Sequence, residues 1–286
     1  MTIEITECPR DAMQGIKEFI PTEKKINYLN SLLKVGFQTL DFGSFVSPKA
    51  IPQMQDTAIV LKGLQLEKTN TQLLAIVANE RGAADACQFD EIKFLGYPFS
   101  ISETFQLRNT NATLSESLRR VEDIQNLCVK NGKTAVIYLS MAFGNPYGDP
   151  WNSEIALEWT SKLHNLEIRQ IALADTIGVS TPENIRYLFT HLIPVFPEVQ
   201  FAAHLHSRKE NAMEKIESAY DAGCRKFDSA LQGFGGCPMA KDELIGNLAT
   251  ENLFQFLSNK KIDFEINREA LQNSSAICSE IFSRYH

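Results

Sequence analysis

The chain lacks a long apolar run and an N-terminal segment of the kind that directs export. Hydrophobic residues make up 44% of its 286 residues, but the longest apolar runs are too short and too interrupted to span a bilayer. Residues 1–7 contain neither a basic region nor an apolar core, so we expect a protein that is not exported. The sequence therefore favours a cytoplasmic protein with no membrane partner.

Excess positive charge and paired cysteines are also missing. The net charge of −7 argues against nucleic acid as the main partner, and an anionic substrate would need a local basic cluster. The six cysteines are dispersed, with no Cys-x-x-Cys pair, which excludes the common zinc-knuckle and thioredoxin patterns. We expect these cysteines to be reduced, which fits a cytoplasmic setting.

What is present is a regular alternation of strand-like and helix-like segments. Strands separated by helix-length segments imply a parallel sheet, and eight of them imply an α/β fold of the (β/α)₈ TIM-barrel type. The predicted strands are 3–7, 39–45, 72–77, 91–96, 135–140, 170–174, 199–204 and 226–230. The predicted intervening helices are 22–35, 50–64, 81–85, 113–130, 154–164, 182–193 and 210–222.

Two further helices are predicted after the eighth strand, over residues 247–258 and 268–284. No linker, low-complexity tract or additional repeat interrupts the pattern. We therefore expect a single domain over residues 1–286, with the barrel over about 1–258 and a C-terminal helical extension over about 259–286.

In such barrels the active site lies at the carboxyl ends of the strands. His204 and His206 are two residues apart in the seventh predicted strand, so their imidazoles point the same way and make half a metal site. Cys237 follows in the loop after the eighth strand, next to Gly235 and Gly236. A metal that polarises a carbonyl beside a thiol that moves a proton suits carbon–carbon bond chemistry. The alternative is a pair of structural histidines and an ordinary small cysteine.

Charged and amide residues follow other strands and complete a candidate site. Asp11 can bind a metal, Arg10 can hold an anionic oxygen, and Asp41, if it faces the barrel interior, needs a partner such as Arg10. Asp11, the two histidines and the carbonyl oxygen of Asn247 form a mixed oxygen and nitrogen set that suits Mg²⁺ or Mn²⁺. The alternatives are an exposed ion pair for Arg10 and Asp11, and a helix N-cap for Asn247.

Taken together and in order, these motifs resemble the 3-hydroxy-3-methylglutaryl-CoA lyases, which belong to the metal-dependent lyase and condensing-enzyme barrels. The resemblance extends roughly from residue 5 to residue 282. It is carried by Pro9-Arg10-Asp11, Ser44-Phe45-Val46-Ser47-Pro48-Lys49, Asp175-Thr176-Ile177-Gly178, His204-Leu205-His206, Gly235-Gly236-Cys237-Pro238 and Gly246-Asn247-Leu248-Ala249-Thr250-Glu251.

The resemblance implies a role for each matching residue. Arg10 would stabilise the developing enolate, Cys237 would transfer a proton, and Asp41 would assist catalysis near Arg10. The implied ligands of a divalent cation are Asp11, His204, His206 and Asn247. The implied substrate contacts are Gln14, Lys17, Ser44, Lys49, Asp175 and Thr176, with the two lysines as contacts for the acidic substrate or the CoA phosphates.

The implied reaction is the metal-assisted cleavage of an acyl-CoA into acetyl-CoA and acetoacetate, by a protein that is a homodimer in the resembling family. A condensing enzyme that joins acetyl-CoA to a 2-oxo acid is one alternative, although such enzymes generally lack the Gly-Gly-Cys-Pro loop. A barrel that binds without catalysis is another. Asp41 stands where the lyases usually have glutamate, and residues 239–245 are charged and one residue longer than usual. The substrate could therefore be a different 3-hydroxyacyl-CoA.

Overall fold

The computed structural model describes residues 2–236 and 245–285. Eight parallel strands follow one another around a closed barrel, and the last pairs with the first. This confirms the predicted (β/α)₈ architecture. The strands are β1 Glu4–Glu7, β2 Thr39–Ser44, β3 Gln72–Ile76, β4 Ile92–Ser100, β5 Thr134–Ser140, β6 Gln170–Asp175, β7 Gln200–Leu205 and β8 Lys226–Ser229.

Helices follow the strands and surround the barrel. Several begin at side-chain caps: Thr113 and Glu116 form a capping box, and Thr181 caps a helix that starts with Pro182, which satisfies the free N–H groups of the first turn. The helices are α1 Pro9–Gln14, α2 Thr22–Leu32, α3 Thr57–Lys62, α4 Glu80–Ala86, α5 Glu103–Thr110, α6 Leu114–Lys130, α7 Ser153–Asn165, α8 Pro182–Val195, α9 Ala212–Asp221, α10 Thr250–Asn259 and α11 Arg268–Tyr285.

Some boundaries differ from the predicted ones. The helix predicted over residues 50–64 is a short 3₁₀ turn, Pro52–Met54, followed by α3. Strand β4 continues to Ser100, four residues past the predicted end. Beyond Gly96 it pairs only with β5, so Pro98 lies where one side of the strand needs no N–H donor. The short helices α1 and α5 were not predicted.

The main hydrophobic core lies between the barrel and the helices, because parallel strands are buried on both faces. A smaller apolar cluster fills the barrel interior and includes Leu74, Phe94, Val136 and Tyr138. Helix α11 packs against α2 at the outside of the barrel. Within residues 2–236 and 245–285, no helix has the length and hydropathy needed to cross a membrane.

Candidate active site

Three potential metal ligands converge at the carboxyl-terminal mouth of the barrel. Asp11 lies in α1, which begins at Pro9 directly after β1, while His204 lies in β7 and His206 directly follows it. One donor atom from each of the three side chains lies within 4.8 Å of the others. The two imidazole centroids are 5.6 Å apart, as expected for residues i and i+2 on one face of an extended strand.

Asn247 joins this group from the other end of the chain. Its Nδ2 donates hydrogen bonds to Asp11 Oδ2 at 2.7 Å and to the Phe234 carbonyl at 2.9 Å. The amide nitrogen is therefore engaged, which leaves the amide oxygen as the atom available to a cation. The helix predicted to start at Asn247 starts at Thr250 instead, because Asn247 forms an isolated β-bridge with His206 before the chain turns into α10.

Arg10 and Asp41 form the ion pair that the sequence indicated. Arg10 Nε lies 3.1 and 3.0 Å from the two carboxylate oxygens of Asp41, and Nη2 lies 2.5 Å from Oδ2. Arg10 Nη1 donates to Asp11 Oδ1 at 3.1 Å and to Gln14 Oε1 at 2.9 Å. One planar guanidinium thus connects the acid of β2 to the metal-ligand candidate of α1.

Burial and neighbouring charges set the protonation of these groups. Burial raises the pKa of Asp41 to about 6, although Arg10 opposes the rise. Burial also lowers the pKa of Arg10, but Asp41 and Asp11 outweigh it and raise that pKa above its ordinary value. For Asp11, burial works to raise the pKa, but the charge of Arg10, helped by the hydrogen bond from Asn247, brings it below its ordinary value. Arg10 therefore stays cationic and Asp11 anionic near neutral pH.

The histidines fit a metal centre. Burial, reinforced by the neighbouring His204, lowers the pKa of His206 to about 4, so its ring is neutral and has a lone pair to donate. His206 Nδ1 is buried and has no hydrogen-bond partner among residues 2–236 and 245–285, which is costly unless something binds it. Carboxylate, imidazole and amide donors suit a divalent cation. The residues present therefore fit such an ion.

A second group of donors lies deeper, where Cys8, His204 and Asp228 come together. Burial raises the pKa of the Cys8 thiol well above its ordinary value, and Asp228 adds to the rise. A protonated thiol is a poor metal ligand. Asp11, His204 and His206 therefore remain the better cation site.

A cavity of about 160 Å³ opens above these groups. Its polar wall includes Arg10, Asp11, Gln14 and Thr176 among the residues that the sequence indicated. It also includes residues that sequence reasoning missed, which are Asn109, Thr110, Tyr138 and Ser140. Tyr138 and Ser140 alternate at the end of β5, a signal that could have been used. Asn109 and Thr110 belong to α5, which was not predicted.

Four predicted substrate contacts lie elsewhere. Asp175 is turned away from the cavity and is bound by Lys215 Nζ at 2.7 Å and by the Ser180 hydroxyl at 2.5 Å. Ser44 lines a neighbouring cavity instead. Lys17 and Lys49 are exposed and do not line the active-site cavity. The structure therefore brings Gln14 and Thr176 to the cavity and leaves these four outside it.

Cys237 lies outside the described residues. The chain leading to it passes close to the metal-ligand candidates at Gly235. A Cβ at this position would lie 2.6 Å from Asn247 Nδ2 and 2.8 Å from Ala12 Cα, and the φ of Gly235 is +98°. Only glycine fits this close approach.

Comparison with known proteins identifies relatives over nearly the whole chain. A family model described as HMGL-like matches residues 3–277. Hydroxymethylglutaryl-CoA lyase YngG of Bacillus subtilis is 33% identical over 93% of this chain and 88% of its own length. The mitochondrial hydroxymethylglutaryl-CoA lyase of Bos taurus is 33% identical over 99% of this chain and 86% of its own length.

Solved structures agree with these matches. The crystal structure of the Bacillus subtilis HMG-CoA lyase has a TM-score of 0.91 and 32% identity, and the alignment covers 99% of this chain and 94% of that one. An HMG-CoA lyase from Acinetobacter baumannii, in complex with coenzyme A and 3-methylmalate, has a TM-score of 0.88 and 30% identity. That alignment covers 96% of this chain and 89% of the other.

Proposed function

Because this chain belongs to the HMGL-like family, we propose that it is the carbon–carbon lyase that cleaves 3-hydroxy-3-methylglutaryl-CoA to acetyl-CoA and acetoacetate. The observation that carries the proposal is the convergence of Asp11, His204 and His206 beside a guanidinium that Asp41 holds in place. The acyl-CoA substrate is further supported by the coenzyme A bound to the Acinetobacter baumannii relative.

Asp11, His204, His206 and the Asn247 amide oxygen would hold the divalent cation, for which we propose Mg²⁺ or Mn²⁺, and when bound it supplies Lewis acidity to oxygen atoms of the substrate. The protein favours cation binding at this site by keeping His206 neutral and Asp11 ionised. Asn247 holds the Asp11 carboxylate from one side, and Arg10 holds it from the other.

Arg10 provides the electrostatic part of the mechanism. A base removes the proton of the substrate's tertiary hydroxyl, whose oxygen becomes the ketone oxygen of acetoacetate. As the carbon–carbon bond breaks, its electron pair moves toward the thioester and negative charge develops on the thioester oxygen. A guanidinium that is already fixed in a buried site stabilises such charge without having to reorganise. Arg10 lines the cavity and is only 6% exposed. The product carbon then takes up a proton, and we propose that Cys237 transfers it.

The structure changes the role that we assign to Asp41. Its side chain is fully buried, both carboxylate oxygens face Arg10, and it does not line the cavity. An aspartate, one methylene shorter than glutamate, therefore still reaches the guanidinium. We propose that it acts through Arg10 as a positioning residue.

The exposed Lys17 and Lys49 are proposed contacts for the phosphates of CoA, since mobile lysines suit such contacts. A homodimer is proposed on the family resemblance alone. A cytoplasmic location is proposed because the five described cysteines are all free thiols.

The test is a cleavage assay on protein stripped of metal with EDTA. We expect acetoacetate from 3-hydroxy-3-methylglutaryl-CoA only after Mg²⁺ or Mn²⁺ is restored, and none from His204→Ala. His191→Ala is the matched control, because His191 is an exposed histidine of α8 and its loss should leave turnover unchanged. Metal binding without acetoacetate would reject this substrate while keeping the site.

A further inference from the structure

We propose that Asp228 is a positioning residue of the metal centre: it fixes the tautomer and the ring orientation of His204, and its charge strengthens the binding of the cation. The proposal rests on the metal site described under the proposed function. Asp228 Oδ2 lies 3.1 Å from His204 Nδ1, and Asp228 is 4% exposed. His204 and Asp228 are register partners in the neighbouring strands β7 and β8, so the backbone itself holds the two side chains together.

A carboxylate at Nδ1 decides where the imidazole proton sits. A carboxylate only accepts hydrogen bonds, so Nδ1 carries the proton and the lone pair is left on Nε2. The rest of the ring is also held, because Tyr138 packs edge-on against it with centroids 5.3 Å apart and an interplanar angle of 81°. His204 therefore presents a single nitrogen to a cation, in one orientation.

The charges around the mouth point to the same role. Asp11, Asp41 and Asp228 supply three carboxylates, and Arg10 supplies one guanidinium bonded to the first two. This set has a charge of −2, which a divalent cation would neutralise. The nearest lysine along β8, Lys226, donates its hydrogen bonds to Gln170 and Gln200 instead. Asp228 therefore contributes one of the charges that the cation balances.

Direct measurement of metal affinity separates this role from catalysis. Mn²⁺ binding to the stripped protein is followed by electron paramagnetic resonance for the wild type, Asp228→Asn and Asp228→Glu at one pH. Asparagine preserves an oxygen that accepts from Nδ1 but removes the charge, whereas glutamate preserves the charge but displaces it. We expect Asp228→Asn to weaken Mn²⁺ binding about 10- to 100-fold, as loss of such outer partners does elsewhere, and Asp228→Glu to weaken it less.

Asp56→Asn is the matched control. Asp56 is a buried acid that binds Lys25 and Thr22 away from the mouth, so its loss should leave the Mn²⁺ dissociation constant within about twofold. Circular dichroism shows which variants fold, and Asp228→Glu carries the test if Asp228→Asn does not. An unchanged dissociation constant in the folded Asp228 variants would overturn this proposal and leave the proposed function standing. A wild type that binds no Mn²⁺ would overturn both.

Discussion

Arg10 has three hydrogen-bonded neighbours that together fix its guanidinium. Asp41 takes Nε and Nη2, and Asp11 and Gln14 share Nη1. A guanidinium is planar and can bind a carboxylate through two parallel N–H groups, whereas an ammonium group offers a single point of charge. The site therefore depends on the shape of arginine as well as on its charge.

The substitution Arg10→Lys keeps the positive charge but removes the planar group that binds a carboxylate through two parallel N–H groups. We expect the kcat of cleavage to fall about 10²- to 10³-fold, the size of effect seen when one preorganised donor to a developing oxyanion is removed. Steady-state kinetics with saturating Mn²⁺ measure it. A rise in KM with kcat unchanged would instead assign Arg10 to uniform substrate binding.

Glu7 is a buried acid behind the site, and its burial favours the protonated form. The Thr250 hydroxyl lies 2.6 Å from Glu7 Oε2 and 2.9 Å from Ser229 Oγ, and Leu231 N donates to Glu7 Oε1 at 2.7 Å. Burial raises the pKa of Glu7 to about 8, although the hydrogen bonds from Thr250 and from the Leu231 N–H oppose the rise.

A raised pKa makes stability depend on pH. Between about pH 4.5 and pH 8 the folded state keeps a proton that the unfolded state releases, so the free energy of unfolding falls as pH rises, by on the order of 1 kcal/mol per pH unit from this group. Glu7→Gln mimics the protonated acid, and we expect it to match the wild type near pH 5 and to exceed it above pH 8. Urea unfolding across this range measures the effect. Parallel curves for the two proteins would contradict it.

At the scale of elements, α11 does more than extend the barrel. Its Phe282 stacks on Phe234, with centroids 4.1 Å apart and an interplanar angle of 1°. Gln232 donates to the Ser275 carbonyl at 2.9 Å and to the Ser279 hydroxyl at 2.7 Å. The C-terminal helix therefore holds the segment that leads to Gly235 and, beyond it, to Cys237.

Phe282→Leu tests this support. We expect turnover to fall severalfold because the segment before Cys237 loses its stacking partner, while the Mn²⁺ dissociation constant stays within about twofold. Phe189→Leu is the matched control, since Phe189 is fully buried in α8 and should lose stability without losing turnover. Equal turnover in the two variants, once both are folded, would show that α11 only stabilises the barrel.

The sequence predicted the elements better than the directions of individual side chains. The alternation of strand-like and helix-like segments along the sequence located all eight strands. A strand that is buried on both faces leaves a recognisable run of apolar residues. The short helix α5 has no such signal: its apolar residues are too few to show a period, so Asn109 and Thr110 were missed. Asp175 ends β6 at the active-site mouth, yet its carboxylate binds Lys215 of α9, a contact between distant residues that strand position alone does not reveal.

At the scale of the whole molecule, the candidate metal site joins the two ends of the chain. Asp11 follows β1, the histidines belong to the end of β7, and Asn247 lies 236 residues beyond Asp11 and yet donates to it. These donors are brought together only when β8 pairs with β1 and closes the barrel. The unfolded chain therefore has no preformed site, and binding and folding are thermodynamically linked.

Because the metal binds the folded chain, it should stabilise the closed barrel by mass action. At a Mn²⁺ concentration 100 times the dissociation constant, the expected gain is about 2.7 kcal/mol, which raises the Tm of a chain of this size by roughly 5–10 °C. Thermal unfolding of stripped protein with and without Mn²⁺ measures the gain. His191→Ala should keep it and Asp11→Asn should lose most of it, because asparagine offers the cation no charge. An equal gain in Asp11→Asn would mean that Mn²⁺ acts at another place on the molecule, and that closure of the barrel does not create the binding site.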